Sequence, residues 1–327
     1  MAYSAQILRH ACLTLADMKT AREYREQERL LQIYAKLPRV KEIDQKLRHT
    51  IALAVQAAFA AGTDAQAAME QVKQTNLALQ EERKQLILEH FGPEYLEQGP
   101  VCKHCSDTGY VGSNMCRCLQ TLCSREQKKQ IPLLSAGEAS FDQFRLDYYS
   151  DEVDRNYGAS HRRIMQKTLE ACRKFALTFG KESGNLLLTG NTGLGKTFLS
   201  ACIADVVSDR GYGVCYETAA SLFDKLEKAR FHPDEESHTL VEEIYQCDLL
   251  ILDDLGTEMT GQFVVSALYA LLNERLMNGR SMVISTNLNM EDIARRYSSQ
   301  IASRLQGHFQ MRTFVGKDIR LIRNGGV

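Results

Sequence analysis

Hydrophobic and polar positions divide the chain into two regimes. Up to about residue 97, apolar side chains recur every three or four positions among Ala, Glu, Gln, Lys and Arg, as in helices with one buried stripe. Val40, Ile43, Leu47, Ile51, Val55 and Ala58 form such a stripe, beginning just after Pro38. The next starts after Gly62, with Thr63 or Asp64 as N-cap, and carries Met69, Val72, Leu79 and Leu86 at near-heptad spacing. Asn76 and Arg83 interrupt it, which argues against a long coiled coil. An earlier helix, from about Tyr3 to Lys36, has a weaker stripe. Gly92-Pro93 and Gly99-Pro100 then break the helical pattern. Beyond Asn156 the period changes. Short, wholly apolar runs such as Leu186-Leu187-Leu188 and Leu249-Leu250-Ile251-Leu252 alternate with helical stretches. That alternation predicts an α/β domain, a parallel sheet with helices on both faces. The expected organisation is a helical domain over 1–97, a cysteine-rich knuckle over 98–125, a linker and lead-in over 126–155 and the α/β domain over 156–327.

Composition narrows the setting. A chain of 327 residues with 44% hydrophobic content can bury one large core and something smaller. Its formal net charge of −1 gives no global basic field, although a local basic stripe remains compatible with it. No run approaches the length of a membrane span, and Met1-Ala2-Tyr3-Ser4 lacks the layout of a signal peptide. The expectation is a soluble cytoplasmic protein without a membrane partner, its ten cysteines reduced.

Chemistry concentrates at Gly190-Asn191-Thr192-Gly193-Leu194-Gly195-Lys196-Thr197, which matches G-x-x-x-x-G-K-[ST]. The glycines let backbone N–H groups turn inward onto a β-phosphate, Lys196 supplies charge to the β/γ oxygens, and the Thr197 hydroxyl completes a Mg²⁺ shell. The apolar run before it and the helical stretch from Phe198 to Val207 place the phosphate at a helix N-terminus. The chain therefore binds ATP or GTP. About fifty residues on, the strand pattern ending in Asp253-Asp254 predicts a magnesium-holding acid and an acid that orients or deprotonates the attacking water. A third apolar strand ends in Ser285-Thr286-Asn287, and the Asn287 amide can sit between γ-phosphate and lytic water. Arg304, in Ile301-Ala302-Ser303-Arg304-Leu305, could reach a neighbouring subunit's γ-phosphate; a plain surface arginine is the commoner role. Phe144 or Tyr148 could stack on the base or simply pack in the core.

A second cluster, Cys102-x-x-Cys105 and Cys116-x-Cys118, flanks a hairpin-like Gly109-Tyr110-Val111-Gly112. Four thiolates suit tetrahedral Zn²⁺ and leave no open position for water, so a structural zinc is favoured over a catalytic one. The second pair is tighter than C-x-x-C, which keeps His104 and Cys123 as substitute ligands. A redox C-x-x-C would want a thioredoxin-like strand and helix that the pattern lacks.

In order, Gly190–Thr197, Asp253-Asp254-Leu255-Gly256, Ser285-Thr286-Asn287 and Ser303-Arg304-Leu305 resemble an AAA+ ATPase of the DnaC/DnaI/IstB type. The resemblance covers about residues 140–323, from the lead-in Phe141-Asp142-Gln143-Phe144 to the closing Gly316-Lys317-Asp318-Ile319-Arg320. It implies an AAA+ P-loop core and ATP rather than GTP. It assigns Lys196 and Thr197 to the nucleotide, Asp253 and Asp254 to the Walker B pair, Asn287 as first sensor, Arg304 as arginine finger and Arg320 as second sensor. Members load the hexameric replicative helicase onto single-stranded DNA or assist a transposase, and the resemblance implies a self-assembled homo-oligomer. The helical domain and zinc knuckle look more like DnaI than like the transposase helpers. The basic positions Lys225, Lys228 and Arg230 are candidates for DNA contact, or a solvated face. A nucleotide-gated scaffold with negligible hydrolysis is a third reading, opposed by the complete set of Lys196, Asp253, Asp254 and Arg304. Asp254 stands where many AAA+ proteins have Glu, which implies modest turnover. Seven residues follow Arg320, too few for a complete helical lid, as in the loader family.

Overall fold

The computed structural model describes residues 3–59, 65–96 and 99–323, and their contacts group into two compact units. One runs from Leu13 to Cys116; the other joins Met1–Cys12 to Arg117–Val327. In chain order the first elements are α1 (Ala5–Lys36), α2 (Pro38–Phe59), α3 (Ala65–Phe91) and a two-stranded hairpin of β1 (Tyr110–Val111) and β2 (Asn114–Met115). Pro38 opens α2, where its missing N–H is no loss.

Among its described residues the smaller unit is held by an apolar cluster and a set of polar cross-links. Ile33, Val40 and Ile87 are buried together against Tyr34, Leu37, Leu86 and Phe91. The residues that interrupt the apolar stripe of α3 join this packing. The Arg83 guanidinium donates to Asp44 at 2.7 Å, and the Thr50 hydroxyl donates to the Asn76 carbonyl at 2.7 Å. The stripe is broken because α2 and α3 pair through specific polar contacts, a register device familiar from helical pairs. The side chains of Ile51, Val55, Ala58 and Met69, and the turn from Gly62 to Asp64, lie outside the described residues.

The larger unit continues with α4 (Arg117–Lys129), α5 (Pro132–Ser135), β3 (Val153–Asp154), β4 (Ala159–Ser160), α6 (His161–Leu177), β5 (Asn185–Thr189) and α7 (Lys196–Asp209). Then follow β6 (Val214–Thr218), α8 (Ala219–Phe231), α9 (Glu235–Gln246), β7 (Leu249–Leu255), α10 (Gln262–Met277), β8 (Ser281–Thr286), α11 (Met290–Arg296), α12 (Ser299–His308), β9 (Phe309–Thr313) and α13 (Ile319–Arg323). Five parallel strands stand in the order β6-β7-β8-β5-β9. Alternate residues feed opposite faces: Leu186, Leu188, Leu249 and Ile251 join one buried layer, and Leu187, Leu250 and Leu252 the other. Helices cover both layers, which is why the strands read as continuous apolar runs. With the phosphate-loop strand β5 flanked by β8 and β9, this is a parallel P-loop α/β core. The linker and lead-in, 126–155, is anchored at its start. Gln127 of α4 is buried and bonds Ser208, the Tyr212 carbonyl and the Val214 N–H. No helix among the described residues is long and apolar enough to cross a membrane.

Candidate nucleotide and metal sites

The loop after β5 is shaped by glycines in conformations that side chains disfavour. Gly190 has φ +143°, and a Cβ there would meet the Phe314 carbonyl oxygen at 2.3 Å. Gly193 has φ +73°, and a Cβ would strike the Asp318 carboxylate at 1.9 Å. The loop is braced from outside: the Tyr149 hydroxyl donates to the Leu194 carbonyl at 2.9 Å, and the Ile319 N–H to the Gly193 carbonyl at 2.9 Å. Lys196 begins α7 and is buried, its Nζ donating to the Gly190 and Asn191 carbonyls at 2.6 and 2.7 Å. Burial pulls its pKa below the ordinary lysine value, while Asp254 and Asp253 pull the other way.

A cleft of about 660 Å³ opens beside this loop, lined by Phe144, Tyr148, Gly193, Lys196, Asp254 and Arg320 among others. Thr197, half-buried, and Thr192, exposed, line the same cleft, whereas Asn191 is exposed outside its lining. Phe144 stacks on Tyr149 and also packs beside Phe198. Tyr148 lies under the Arg145 guanidinium, 4.8 Å from the ring centre. Both aromatics therefore combine core packing with exposure to the cleft.

The two acids of β7 have different settings because the strand is irregular between Leu252 and Leu255. Asp253 is buried, accepting from the Tyr216 hydroxyl at 2.9 Å and the Ser285 hydroxyl at 2.5 Å. Asp254 sits in the left-handed region at φ +56° and turns toward the cleft. Its carboxyl is raised above the ordinary aspartate value, first by burial and then by repulsion from Asp253, against the pull of Lys196 and Arg320. Ser285 accepts from the Asp254 N–H at 2.9 Å while donating to Asp253, so one buried hydroxyl fixes both acids. The sequence pattern alone did not mark Ser285 or Tyr216. Replacing Ser285 by Ala leaves the Asp253 carboxylate and Asp254 N–H short of a partner. We expect a loss of about 1–3 kcal/mol in unfolding free energy, read by denaturant titration.

The other expected residues are spread around this centre. Asn287 is the first residue past β8, with its Oδ1 beside Gly256 on the loop that follows the acids. Arg320 lines the cleft and forms a two-point ion pair with Asp318, at 2.7 and 3.0 Å. Arg304 is not brought into the cleft of its own chain. It lies on α12 and turns to α10, bonding Asn273 at 2.5 Å and the Tyr269 hydroxyl at 2.9 Å, 4.3 Å over the Tyr269 ring. Lys225 is paired with Glu217 at 2.5 Å, and Arg230 rests over the rings of Phe231 and Phe263.

The cysteine knuckle converges on one point. The sulfurs of Cys102, Cys105, Cys116 and Cys118 all lie within 4.8 Å of one another, with Cys102 and Cys116 3.7 Å apart. A tetrahedron of thiolates at the usual zinc–sulfur bond length has an edge of about 3.8 Å, so the donor set fits a tetrahedral ion. The tight second pair works because β1 and β2 turn the chain back, with the Cys116 N–H bonded to the Gly109 carbonyl at 2.8 Å. Asp107 fixes the first knuckle by accepting the Cys102 N–H at 2.8 Å. His104 and Cys123 are not part of the cluster; Cys123 is buried on α4, where desolvation pushes its thiol up to about 11.

With this geometry in view, residues 146–303 match the family model of the IstB-like ATP binding protein. A putative insertion-sequence ATP-binding protein of Sinorhizobium fredii is 34% identical over 106 residues, which is 32% of this chain and 35% of that protein. The replicative helicase loader DnaC of Buchnera aphidicola is 22% identical over 143 residues, 43% of this chain and 58% of that protein. The crystal structure of the DnaC helicase loader is 19% identical, with a TM-score of 0.45 over 54% of this chain and 98% of that one. The chain thus spans from about a third to three fifths of the curated relatives it matches.

Proposed function

We propose that this chain is an ATP-driven loader of the hexameric replicative helicase onto single-stranded DNA. What carries the reading is the combination, in one chain, of a nucleotide cleft with a paired helical unit and a four-cysteine knuckle. The helical unit and the knuckle lie outside the ATPase core, and we read them as partner-gripping modules. In the cleft, Lys196 and the loop N–H groups hold the phosphates, Asp254 orients or deprotonates the lytic water, and Asn287 and Arg320 sense the γ-phosphate. Mg²⁺, held by Thr197 and Asp253, would neutralise charge on the β- and γ-oxygens. Arg304 completes the site of a neighbouring copy, consistent with its place outside its own cleft. Cys102, Cys105, Cys116 and Cys118 would hold Zn²⁺, which would fasten the knuckle.

The experiment is capture of the full-length chain, zinc-loaded, by the replicative helicase of the same cell, repeated with Cys102→Ser/Cys105→Ser. Expected is stable capture, weakened at least tenfold in the double variant and after zinc chelation; capture unaffected by either treatment removes the knuckle from the interface. The second reading, an ATPase that regulates target DNA for a transposase, is favoured by the family match and by the insertion-sequence relative. Capture of a transposase and not the helicase would select it.

A further inference from the structure

The arginine that stays out of its own cleft is held entirely by neutral partners. Helices α10 and α12 share one buried layer, to which α10 gives Leu268, Leu271 and Leu272 and α12 gives Ile301, Ala302 and Leu305. Immediately beside these residues in sequence stand Tyr269, exposed, and Asn273 and Arg304, both half-buried. Tyr269 and Asn273 are one turn of α10 apart and so share a face. Together they fix the guanidinium from two directions. The Asn273 Oδ1 accepts from Nε at 2.5 Å and the Tyr269 hydroxyl from Nη2 at 2.9 Å, while the Tyr269 ring centre lies 4.3 Å from Cζ. A bond from Nη1 to the Gln300 carbonyl is long, at 3.4 Å.

None of these partners is a carboxylate, and among the described residues none pairs with Arg304. Arg320, the arginine that lines the chain's own cleft, is different: its charge is answered by Asp318 at 2.7 Å. A guanidinium oriented by an amide, a hydroxyl and a ring face keeps its charge for an incoming anion. Nη1 and Nη2 also keep further N–H groups to donate. A long side chain left free must be ordered when it acts, at a cost in rotamer entropy. Here the ordering is done beforehand by two rigidly packed helices, which is how a positioned group lowers a barrier.

We propose, on the reading that Arg304 serves a neighbouring copy, that Tyr269 and Asn273 are positioning residues that preset its guanidinium for that copy's γ-phosphate. Neither touches nucleotide. The ring of Tyr269 sets the plane of the fork, and Asn273 fixes it at Nε, leaving the outer Nη groups to meet the phosphate.

The experiment is a mixture of full-length, zinc-loaded copies, in which Lys196→Ala supplies the arginine and Arg304→Ala supplies the nucleotide loop. Turnover of the mixture is followed against ATP concentration. Adding Tyr269→Ala and Asn273→Ala to the Lys196→Ala copy should lower the recovered kcat about tenfold and leave KM for ATP unchanged, the loss expected when a long side chain regains its rotamers. Placed instead in the Arg304→Ala copy, the same two changes should leave the recovered turnover as it was, since no guanidinium is there to hold. A role in packing alone would act from either copy and lower the melting temperature of both. Tyr269→Phe, which keeps the ring and removes only the hydroxyl, should give a smaller loss with the same dependence on copy, and it serves if the double change does not fold. Recovered turnover that is undiminished, or diminished equally from either copy, would overturn the proposal while leaving Arg304 its action on a neighbour. No recovery from the starting pair, with both copies folded and assembling, would remove that action from Arg304 and the proposal with it.

Discussion

Asp254→Asn should bind ATP yet lose hydrolysis by about 10²–10⁴-fold, the usual contribution of a positioned general base. The substitution isolates the charge. Asn is nearly isosteric and, like Asp, tolerates the left-handed backbone at φ +56°, so the strand irregularity has no reason to change. Removing the carboxylate also relieves a buried repulsion with Asp253. The sign follows from linkage. A carboxyl raised in the folded state holds its proton to higher pH than in the unfolded chain, so this group's contribution to stability falls as pH rises through that interval. The neutral variant should therefore melt at a higher temperature than the parent at pH 7, and less so in mild acid. Turnover of the parent should decline on the acid side at a pH above the ordinary aspartate range, as Asp254 takes up its proton. A single enzyme-coupled ATPase series and a parallel set of melting curves check all of this. Hydrolysis unaffected by Asp254→Asn would remove Asp254 from the water-activating role.

Arg304→Ala should lower turnover by about 10³-fold or more, the range for an arginine acting across a subunit boundary. In its own chain Arg304 is occupied with Tyr269 and Asn273, so a purely structural role would show as a lowered melting temperature. The discriminating experiment is mixing. Lys196→Ala cannot hold nucleotide but retains its finger; Arg304→Ala retains its loop but lacks the finger. Combined, they should form sites with Lys196 from one copy and Arg304 from the next, and recover activity that neither has alone. No recovery, with both variants folded and assembling, would mean that Arg304 does not act on a neighbour.

How legible these features were in the sequence follows the distance over which each is built. The phosphate loop could be read because its eight residues are contiguous and their conformations local: the glycines at 190 and 193 answer to φ and to close approach. The apolar strands were legible for the same reason, since a strand buried on both faces has no polar alternate positions. Ser285 and Tyr216 were not, because their partner Asp253 lies on an adjacent strand 32 and 37 residues away. Only the register of the sheet brings these residues together. Asn76 and Arg83 read as faults in a stripe until Thr50 and Asp44 were seen opposite them. One signal was present and passed over: Asp234 and Ser237 form a reciprocal cap at the start of α9. Its short polar lead-in hid a helix whose last residue precedes Cys247. The cysteine pairs were visible by spacing, whereas the choice of Cys118 over His104 or Cys123 depended on how the hairpin folds back.

The most direct measurement is helicase loading onto a closed circle of single-stranded DNA, which an intact hexameric ring cannot thread unaided. Purified helicase from the same cell is mixed with the circle, ATP and the full-length chain, and DNA-bound helicase is recovered by gel filtration. The expected result is at least tenfold more helicase on the circle with the chain than without it, abolished by Lys196→Ala. Helicase on the circle no higher than in the chain-free control, with the chain stably associated with a transposase under the same conditions, would contradict the loader reading.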